Sequence, residues 1–402
     1  MTFASGVAKQ LRYKAESAFG TAPGASGAQL LRRVESTLNL TKDTYQSNEI
    51  RSDYQVSDFR HGVRRVGGNI NGELSPGTWE DFLAAAVRRA FTAVSAMTGL
   101  SVTVAGSGPY TIVRGSGSWL TDGVKIGHVV RLTAGSFTAG NLNKNILVTN
   151  VVALTLTGIV MNGTALTAEG PIASATLTVV GKQTYVPTTG HTDASFAIEH
   201  WHADIAQSEL YLGCKVDGVD IGLPPTGMAT IGLSFMGQDM TDTTAEYYTT
   251  PTAATATGIV AAVNGALLVG GSKVVVCTGL TFRIAGGYSA DPVVGSNVVP
   301  TIFPGRVQVS GEFTAYFENA TLRDYFIDET EISLIAALTT SNDAASDFLT
   351  FVMPRIKVGG ASKSDGEKGI VATFPFQALY NSTGGAGVSS EQTTLLIQDS
   401  QA

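Results

Sequence analysis

The sequence is poor in charged side chains, and this shortage limits the kinds of protein that it can encode. Only 15% of the 402 residues are Asp, Glu, Lys or Arg, against roughly 25% in typical soluble proteins. So few charged side chains leave a large part of a protein surface without polar groups. We therefore expect much of the surface to lie against other copies of the chain. The net charge is -7, and no dense stripe of Lys and Arg is present. The composition therefore argues against a protein that grips nucleic acid through its phosphates.

Cysteines and long apolar runs are also scarce. The two cysteines, Cys214 and Cys277, are too few for a disulfide framework, and we expect them to be small buried apolar groups. The most apolar stretch, residues 258–271, is interrupted by Asn264 and is shorter than the roughly 18 apolar residues of a membrane span. The first residues include basic side chains but lack the apolar segment of a secretory signal. We therefore expect a soluble chain that is made in the cytoplasm.

The residues that are abundant favour strands. Short runs rich in Val, Thr and Ile alternate with Gly and Asn turns along most of the chain, a pattern typical of β-sandwiches and barrels. Residues 97–182 contain only seven charged side chains and many Thr, Val and Gly. We predict a mainly β protein with two short helices. In this interpretation, residues 1–96 and 183–402 form a discontinuous core, and 97–182 is an inserted small all-β domain.

A short pattern occurs twice. Residues 69–83 and 308–326 each contain a Gly-Glu pair at the end of an alternating run, and each continues into Thr-x-x-Asp and an apolar helical stripe. Thr78 with Asp81, and Thr321 with Asp324, match the spacing of helix capping boxes. The pattern predicts a strand followed by a capped helix in both places, and it is short enough to arise by duplication or by chance.

A polar segment of about twenty residues lies before the first copy. Residues 41–61 contain both acidic and basic side chains and few apolar ones. Loops of this length in compact proteins are usually functional or disordered. We predict a long surface loop here.

The best candidate for an active site is His200-Trp-His202. Residues two apart on a strand share a face, so both imidazoles could bind a metal, with Asp204, His191 or His128 as a third ligand. The alternative is a pair of histidines on a solvated or intersubunit surface, and His-x-His alone is a weak signal. A metal-dependent hydrolase centred on this pair is therefore one hypothesis.

Other catalytic signals are weaker. Glu73 and Glu312 occupy matching places in the repeated pattern and are candidates for an acid/base pair, although alternation favours an exposed or lumen-facing side of a strand for both. The sequence shows no combination of nucleophile, base and oxyanion hole. We expect neither an enzyme nor a cofactor.

Several segments together resemble the tail tube proteins of phages with long, non-contractile tails. Those that carry the resemblance are Glu49-Ile-Arg-Ser-Asp53, Gly67-Gly-Asn-Ile70, Gly72-Glu-Leu-Ser-Pro76, and the paired strands around a Pro-x-Gly turn in residues 208–240, which end in Phe-x-Gly-x-Asp. The resemblance covers roughly residues 1–96 and 196–400. The segment 97–182 resembles the add-on β-domains of some members.

The resemblance implies a structural virion protein rather than an enzyme. Members form six-membered rings that stack into a tube and enclose a channel through which double-stranded DNA passes without specific binding. Implied partners are other copies of the chain, the tape measure protein, the tail terminator and baseplate proteins. The implied location is the virion tail, assembled in the cytoplasm of the bacterial host.

The resemblance also suggests roles for individual side chains. A channel for DNA benefits from carboxylates that repel phosphates, and the acidic candidates for the lumen are Glu35, Glu73, Asp217, Asp220 and Glu312. Relatives use a loop comparable to 41–61 for contacts between rings, and the candidates for such contacts are Glu49, Arg51, Asp53, Asp58 and Arg60. Residues 97–182 are expected to project from the tube exterior.

The sequence also fits other structural roles. A tail terminator, a baseplate hub or a capsid decoration protein would be built on the same kind of β-sandwich. An adhesin is a further alternative, in which the inserted domain binds glycans.

Overall fold

A computed structural model of the chain describes residues 3–138, 140–274, 276–365, 367 and 369–402. It is mainly β, with a large curled sheet, a closed six-stranded barrel and two short helices. These features confirm the predicted fold class. Neither of the helices in the described ranges is long and apolar enough to span a membrane.

The strands fall into three groups along the chain. The first group, before the barrel, comprises β1 (Lys9–Ala15), β2 (Ser26–Leu30), β3 (Glu35–Ser36), β4 (Asn39–Gln46) and β5 (Phe59–Glu73). The barrel strands are β6 (Met97–Ala105), β7 (Tyr110–Arg114), β8 (Val129–Ala134), β9 (Ile146–Val151), β10 (Thr155–Val160) and β11 (Glu169–Val179). The third group comprises β12 (Lys182–Tyr185), β13 (Phe196–His202), β14 (Gln207–Leu223), β15 (Thr230–Gly237), β16 (Asp239–Thr243), β17 (Thr250–Thr252), β18 (Ala266–Val269), β19 (Ser272–Lys273), β20 (Cys277–Ala285), β21 (Gln308–Tyr316), β22 (Ile332–Thr339), β23 (Phe348–Val358), β24 (Ser362–Lys363), β25 (Val371–Ala378) and β26 (Leu396–Asp399). Helix α1 is Glu80–Val87, helix α2 is Thr321–Ile327, and a 3-10 turn covers Ala262–Asn264.

Two layers of the large sheet enclose the main core. In the front layer, β5, β15, β14, β20, β21 and β25 pair in that order, all antiparallel. In the back layer, β18, β22, β23 and β26 pair in that order. The two layers face each other across apolar contacts such as Phe282 against Phe351, whose ring centroids are 5.2 Å apart. This is sheet-on-sheet packing of the kind found in β-sandwiches.

Alternation along each front strand determines which side chains enter the core. In β21, Val309, Phe313 and Ala315 are buried. The side chains between them, including Ser310 and Glu312, lie on the opposite face. Since successive side chains of a strand point to opposite faces, the front layer has one apolar face against the core and one polar face against solvent.

Helix α1 packs into this core alongside β14. Phe82, Leu83 and Val87 are fully buried. The ring of Phe82 lies 4.6 Å from Tyr13 and 4.9 Å from Phe196, measured between centroids. Such aromatic pairs add stability beyond the area that they bury.

The predicted capping boxes are wrong. The Thr78 hydroxyl bonds to Ser75 and Thr255 instead of the start of α1, and the Asp81 carboxylate accepts a hydrogen bond from Tyr13. The first residue before α1 is Trp79, and no side chain caps it.

Helix α2 also begins without the predicted cap. It follows Ala320, and the Asn319 side chain accepts a hydrogen bond from the backbone N–H of Thr321. Tertiary partners took the side chains that the local pattern assigned to capping α1, whereas in α2 the Asp324 carboxylate accepts hydrogen bonds from its neighbour Arg323.

The barrel closes in the order β10, β7, β6, β11, β8, β9 and has an apolar core of its own. It packs on the outer side of the back layer. Ile335, Val352 and Leu396 point away from the main core and contact Val129 and Leu147 of the barrel. The polar face and the barrel therefore lie on opposite sides of the main core. The boundaries 97–182 of an independent inserted domain stay a prediction.

Candidate functional site

The exposed face of the front layer is composed of small and polar side chains in two neighbouring rows. We call it the polar face. The first row joins Glu35, Asn71, Gly232, Asp220, Arg283, Ser310 and Gln377. The second row joins Glu73, Thr230, Gly222, Thr281, Glu312 and Pro375. The apolar row between them, which includes Ile231, Ile221 and Phe282, points into the core.

Four of the five acidic candidates lie on the polar face. Glu35 and Asp220 belong to the first row, and Glu73 and Glu312 belong to the second. All four side chains are exposed. The sheet curls so that the middle of this face forms an open trough of about 890 Å³, which Glu73, Asp220 and Glu312 line.

The fifth candidate, Asp217, differs. It lies at the irregularity between Val216 and Gly218 where the register of β14 shifts. Its carboxylate accepts a hydrogen bond from the backbone N–H of Tyr288, at 3.1 Å. Asp217 is therefore tied to the segment after β20 and is separate from the two rows.

Arg283 is the residue of the polar face that sequence reasoning missed. Its guanidinium forms an ion pair of 2.5 Å with Asp220 and donates to the Ser234 hydroxyl. The alternation of Leu280, Phe282 and Ile284 with polar residues in β20 was the signal that could have placed it. The trough thus contains three carboxylates, one of which is balanced by Arg283.

Glu73 and Glu312 are too far apart to act as an acid/base pair. They occupy the same row, but β15, β14 and β20 separate their strands. Four strand spacings of about 4.8 Å give a separation of about 19 Å. Their shared feature is their position on the polar face.

The polar segment 41–61 is a hairpin rather than the predicted long loop. β4 and the first half of β5 pair from Asn39 opposite Gly67 to Gln46 opposite Phe59. Only 47–58 form the turn, and nearly every residue from 41 to 61 is exposed. We call residues 41–61 the hairpin arm.

The five charged candidates of the hairpin arm are brought together near its tip. Arg51 pairs with Asp53 and Arg60 with Asp58, each at 2.7 Å. The hydrogen bond from Arg51 lowers the pKa of Asp53. Glu49 accepts a hydrogen bond from Ser57. The tip also exposes Ile50, Tyr54 and Val56 to solvent.

The histidine candidates are held by protein partners. The Nε2 of His200 lies 2.9 Å from the Ser36 hydroxyl, and its Nδ1 lies 3.6 Å from Glu209. Burial lowers the pKa of His200 to about 4. His202 also faces Glu209, with its Nε2 at 3.8 Å.

The proposed third ligands lie elsewhere. His128 is buried in the barrel, and Asp204 accepts a hydrogen bond from the backbone N–H of Ser5. Within the part of the chain that the structure describes, no three His, Cys, Asp or Glu side chains are grouped as a metal site.

Comparison with known protein families identifies the family of this chain. A family model described as phage tail tube protein matches residues 6–378, nearly the whole chain. No curated protein matches the sequence. The match includes the strands of the polar face, the hairpin arm and the barrel. The chain therefore belongs to the phage tail tube protein family, whose members are structural components of the phage tail.

Proposed function

We propose that the chain assembles into six-membered rings, that the rings stack into a tube, and that the polar face lines the bore through which double-stranded DNA leaves the virion. The observation that carries this proposal is the composition of the polar face. It is curled, free of large apolar side chains in its two rows, and has four exposed carboxylates with one guanidinium.

Electrostatics and shape suit this face to DNA that must slide. The carboxylates of Glu73 and Glu312 repel phosphates, so the bore would not hold the duplex by counterion release. Arg283 is the one cation within the two rows, and it forms an ion pair with Asp220. Gly222, Gly232 and the short Ser and Thr side chains leave few projections against which DNA could catch.

Ring closure also accounts for the low charge of the chain. The short strands that flank the front layer are β3 and β4 beside β5, and β24 beside β25. Their outer edges can pair with neighbouring subunits, and a closed ring removes such edges. We place the barrel on the tube exterior, because it lies behind the back layer, on the side away from the polar face.

The hairpin arm is the proposed contact between rings. Glu49, Arg51, Asp53, Asp58 and Arg60 provide charges of both signs on a projecting element. At the tube ends, the tape measure protein, the tail terminator and baseplate proteins are the proposed partners. Assembly is proposed to take place in the cytoplasm of the bacterial host.

Electron microscopy of the purified chain tests this proposal. We expect six-fold rings and hollow tubes with the barrels on the outside. A protein that stays strictly monomeric at high concentration would overturn the proposal. Single rings that never stack would instead favour a tail terminator, and binding only to capsids would favour a decoration protein.

A further inference from the structure

The front strands end at an apolar groove on the side of the molecule away from the hairpin arm. We call it the end groove. It has a volume of about 330 Å³, and Leu223, Ala262, Val263, Leu267 and Cys277 are among the residues that line it. Val263 is 82% exposed, and Ala262, Ala266 and Leu267 are half-buried. At this end, half-buried apolar side chains therefore border a groove beside the main core.

The register of the strands places the end groove opposite the hairpin arm. β5 begins at the arm with Phe59 and finishes at Glu73, which lies level with Gly222 of β14. Leu223 lies one residue beyond that level, paired with Leu280. The 15 residues of β5 span about 46 Å at 3.3 Å per residue. One molecule therefore has an apolar tip at one end and an apolar groove at the other.

The chemistry of the two ends is complementary. The arm tip exposes Ile50 and Tyr54 almost completely, and its segment 47–58 has three carboxylates and one guanidinium. The end groove has one charged lining residue, Lys273, which forms no ion pair among the described residues. A small polar ligand has little to bind in such a groove, whereas an apolar, acidic tip fits it.

We propose that the arm tip of one copy docks in the end groove of a second copy, with Ile50 and Tyr54 against the apolar lining and Glu49 near Lys273. The proposal rests on the stacked-ring function and names the surface that receives the arm. Because tip and groove lie at opposite ends of the same strands, the contact is head-to-tail and continues from copy to copy without closing. Such a contact produces growth along one direction.

Site-directed cross-linking tests the docking. In a Cys277→Ser background, the double variant Ile50→Cys with Val263→Cys places one thiol at the tip and one at the groove rim. Both positions are exposed, so folding should be unaffected. Oxidation of assembled protein should give a ladder of dimers, trimers and longer disulfide-linked chains on a non-reducing gel.

A matched control places the second thiol outside the end groove. Val152 is exposed at a barrel turn, so Ile50→Cys with Val152→Cys in the same background should give no species longer than a dimer. Tubes of the first double variant that give no ladder, or a ladder equally strong in the control, would overturn the docking and leave the stacked-ring proposal intact. Absence of rings and tubes in the wild type would overturn both.

A charge exchange gives a second readout. Glu49→Lys and Lys273→Glu should each raise the concentration needed for tube formation, because each places like charges together at the contact. The double variant should lower that concentration again towards the wild-type value. Additive loss in the double variant would contradict the pairing of these two residues.

Discussion

At the scale of single residues, the charge of the polar face depends on which titratable side chains of the front strands point to solvent. Glu73 and Glu312 have no cation opposite them in their row, whereas Asp220 has Arg283. The repulsion of phosphates in the proposed bore therefore depends mainly on Glu73, Glu312 and the edge residue Glu35.

Reversing the charge of the bore should make it hold DNA. We expect tubes of the Glu73→Lys, Glu312→Lys variant to retain short duplex DNA, which wild-type tubes release, because lysines would bind phosphates. Retention should weaken steeply between about 50 and 200 mM salt and can be measured with labelled duplex and pelleted tubes. The same charge change at the exposed Asp291 and Asp328 is the control, and equal retention there would contradict a bore lined by the polar face.

Two buried histidines should make the fold sensitive to acid. Burial lowers the pKa of His128 to about 3 and that of His200 to about 4, from a usual value of 6.5. The unfolded chain therefore takes up protons first as the pH falls below 6.5, so the free energy of unfolding decreases until the native pKa is reached. Each histidine contributes a slope of about 1.4 kcal/mol per pH unit in that window. Asp399 acts in the opposite direction, since burial raises its pKa to about 6.

Glutamine variants separate these contributions. Between pH 6 and 4, His128→Gln should reduce the pH slope of the unfolding free energy by about 1.4 kcal/mol per pH unit, measured by urea denaturation. His61→Gln, on the exposed hairpin arm, serves as the control. An unchanged slope in His128→Gln would show that this imidazole is not buried in its neutral form.

At the scale of elements, the two copies of the strand-and-helix pattern occupy matching places. Gly72 and Gly311 lie in one row of the front layer, and Glu73 and Glu312 lie in the next. Both strands then lead to a helix at the same end of the sheet. The copies differ in packing, because α1 buries five residues whereas α2 buries none.

Close packing explains the glycine in the first copy. A Cβ on Gly72 would lie 2.3 Å from the indole of the fully buried Trp79. Gly72→Ala should therefore lower the free energy of unfolding by about 1–3 kcal/mol through overpacking, measured by thermal or urea denaturation. Gly67→Ala on the same strand is the matched control, since its Cβ would meet nothing nearer than 4.0 Å. Equal effects at both positions would contradict this explanation.

At the scale of the whole molecule, the structure is a stack of layers. The front layer carries the polar face on its outer side, and behind it lie the main core, the back layer and the barrel. The barrel is attached by an apolar seam and by polar contacts. The Gln398 side chain bonds to Val129, and the Asn162 side chain bonds to Thr339 and Ser346. The chain enters and leaves the barrel at one place, since Thr92 and Gln183 are hydrogen-bonded to each other.

This seam predicts the result of removing the barrel. Replacing residues 93–182 by an Asn-Gly turn should keep the connection short but expose Ile335, Val352 and Leu396, at a cost of about 1.5–3 kcal/mol each. We expect the deletion to aggregate, and the same deletion with Val352→Thr and Leu396→Thr to be more soluble and to form tubes. Soluble yield and electron microscopy measure both outcomes. A plain deletion as stable as the intact chain would contradict a structural role for the seam.

Part of the candidate site could be predicted because it depends on local pattern. Alternation in β20 and β21 determines which residues face solvent once one face is known to be buried. The hairpin arm was missed as a hairpin because its strands, such as KDTYQ in 42–46, are polar on both faces and have no period-2 apolar signal. The predicted capping box of α1 did not form because Thr78 and Asp81 bind tertiary partners.

The sequence by itself determined the mainly β fold, the low fraction of charged residues, and the polar and apolar faces of the front strands. These properties follow from composition and from a period of two, both of which are local. Only the tertiary structure decided that Glu35, Glu73, Asp220 and Glu312 share one curled face. It also decided that Asp217 binds the backbone of Tyr288 instead, and that the barrel lies behind the core. These arrangements depend on strand order and register between segments that are far apart in the chain, and no local pattern specifies them.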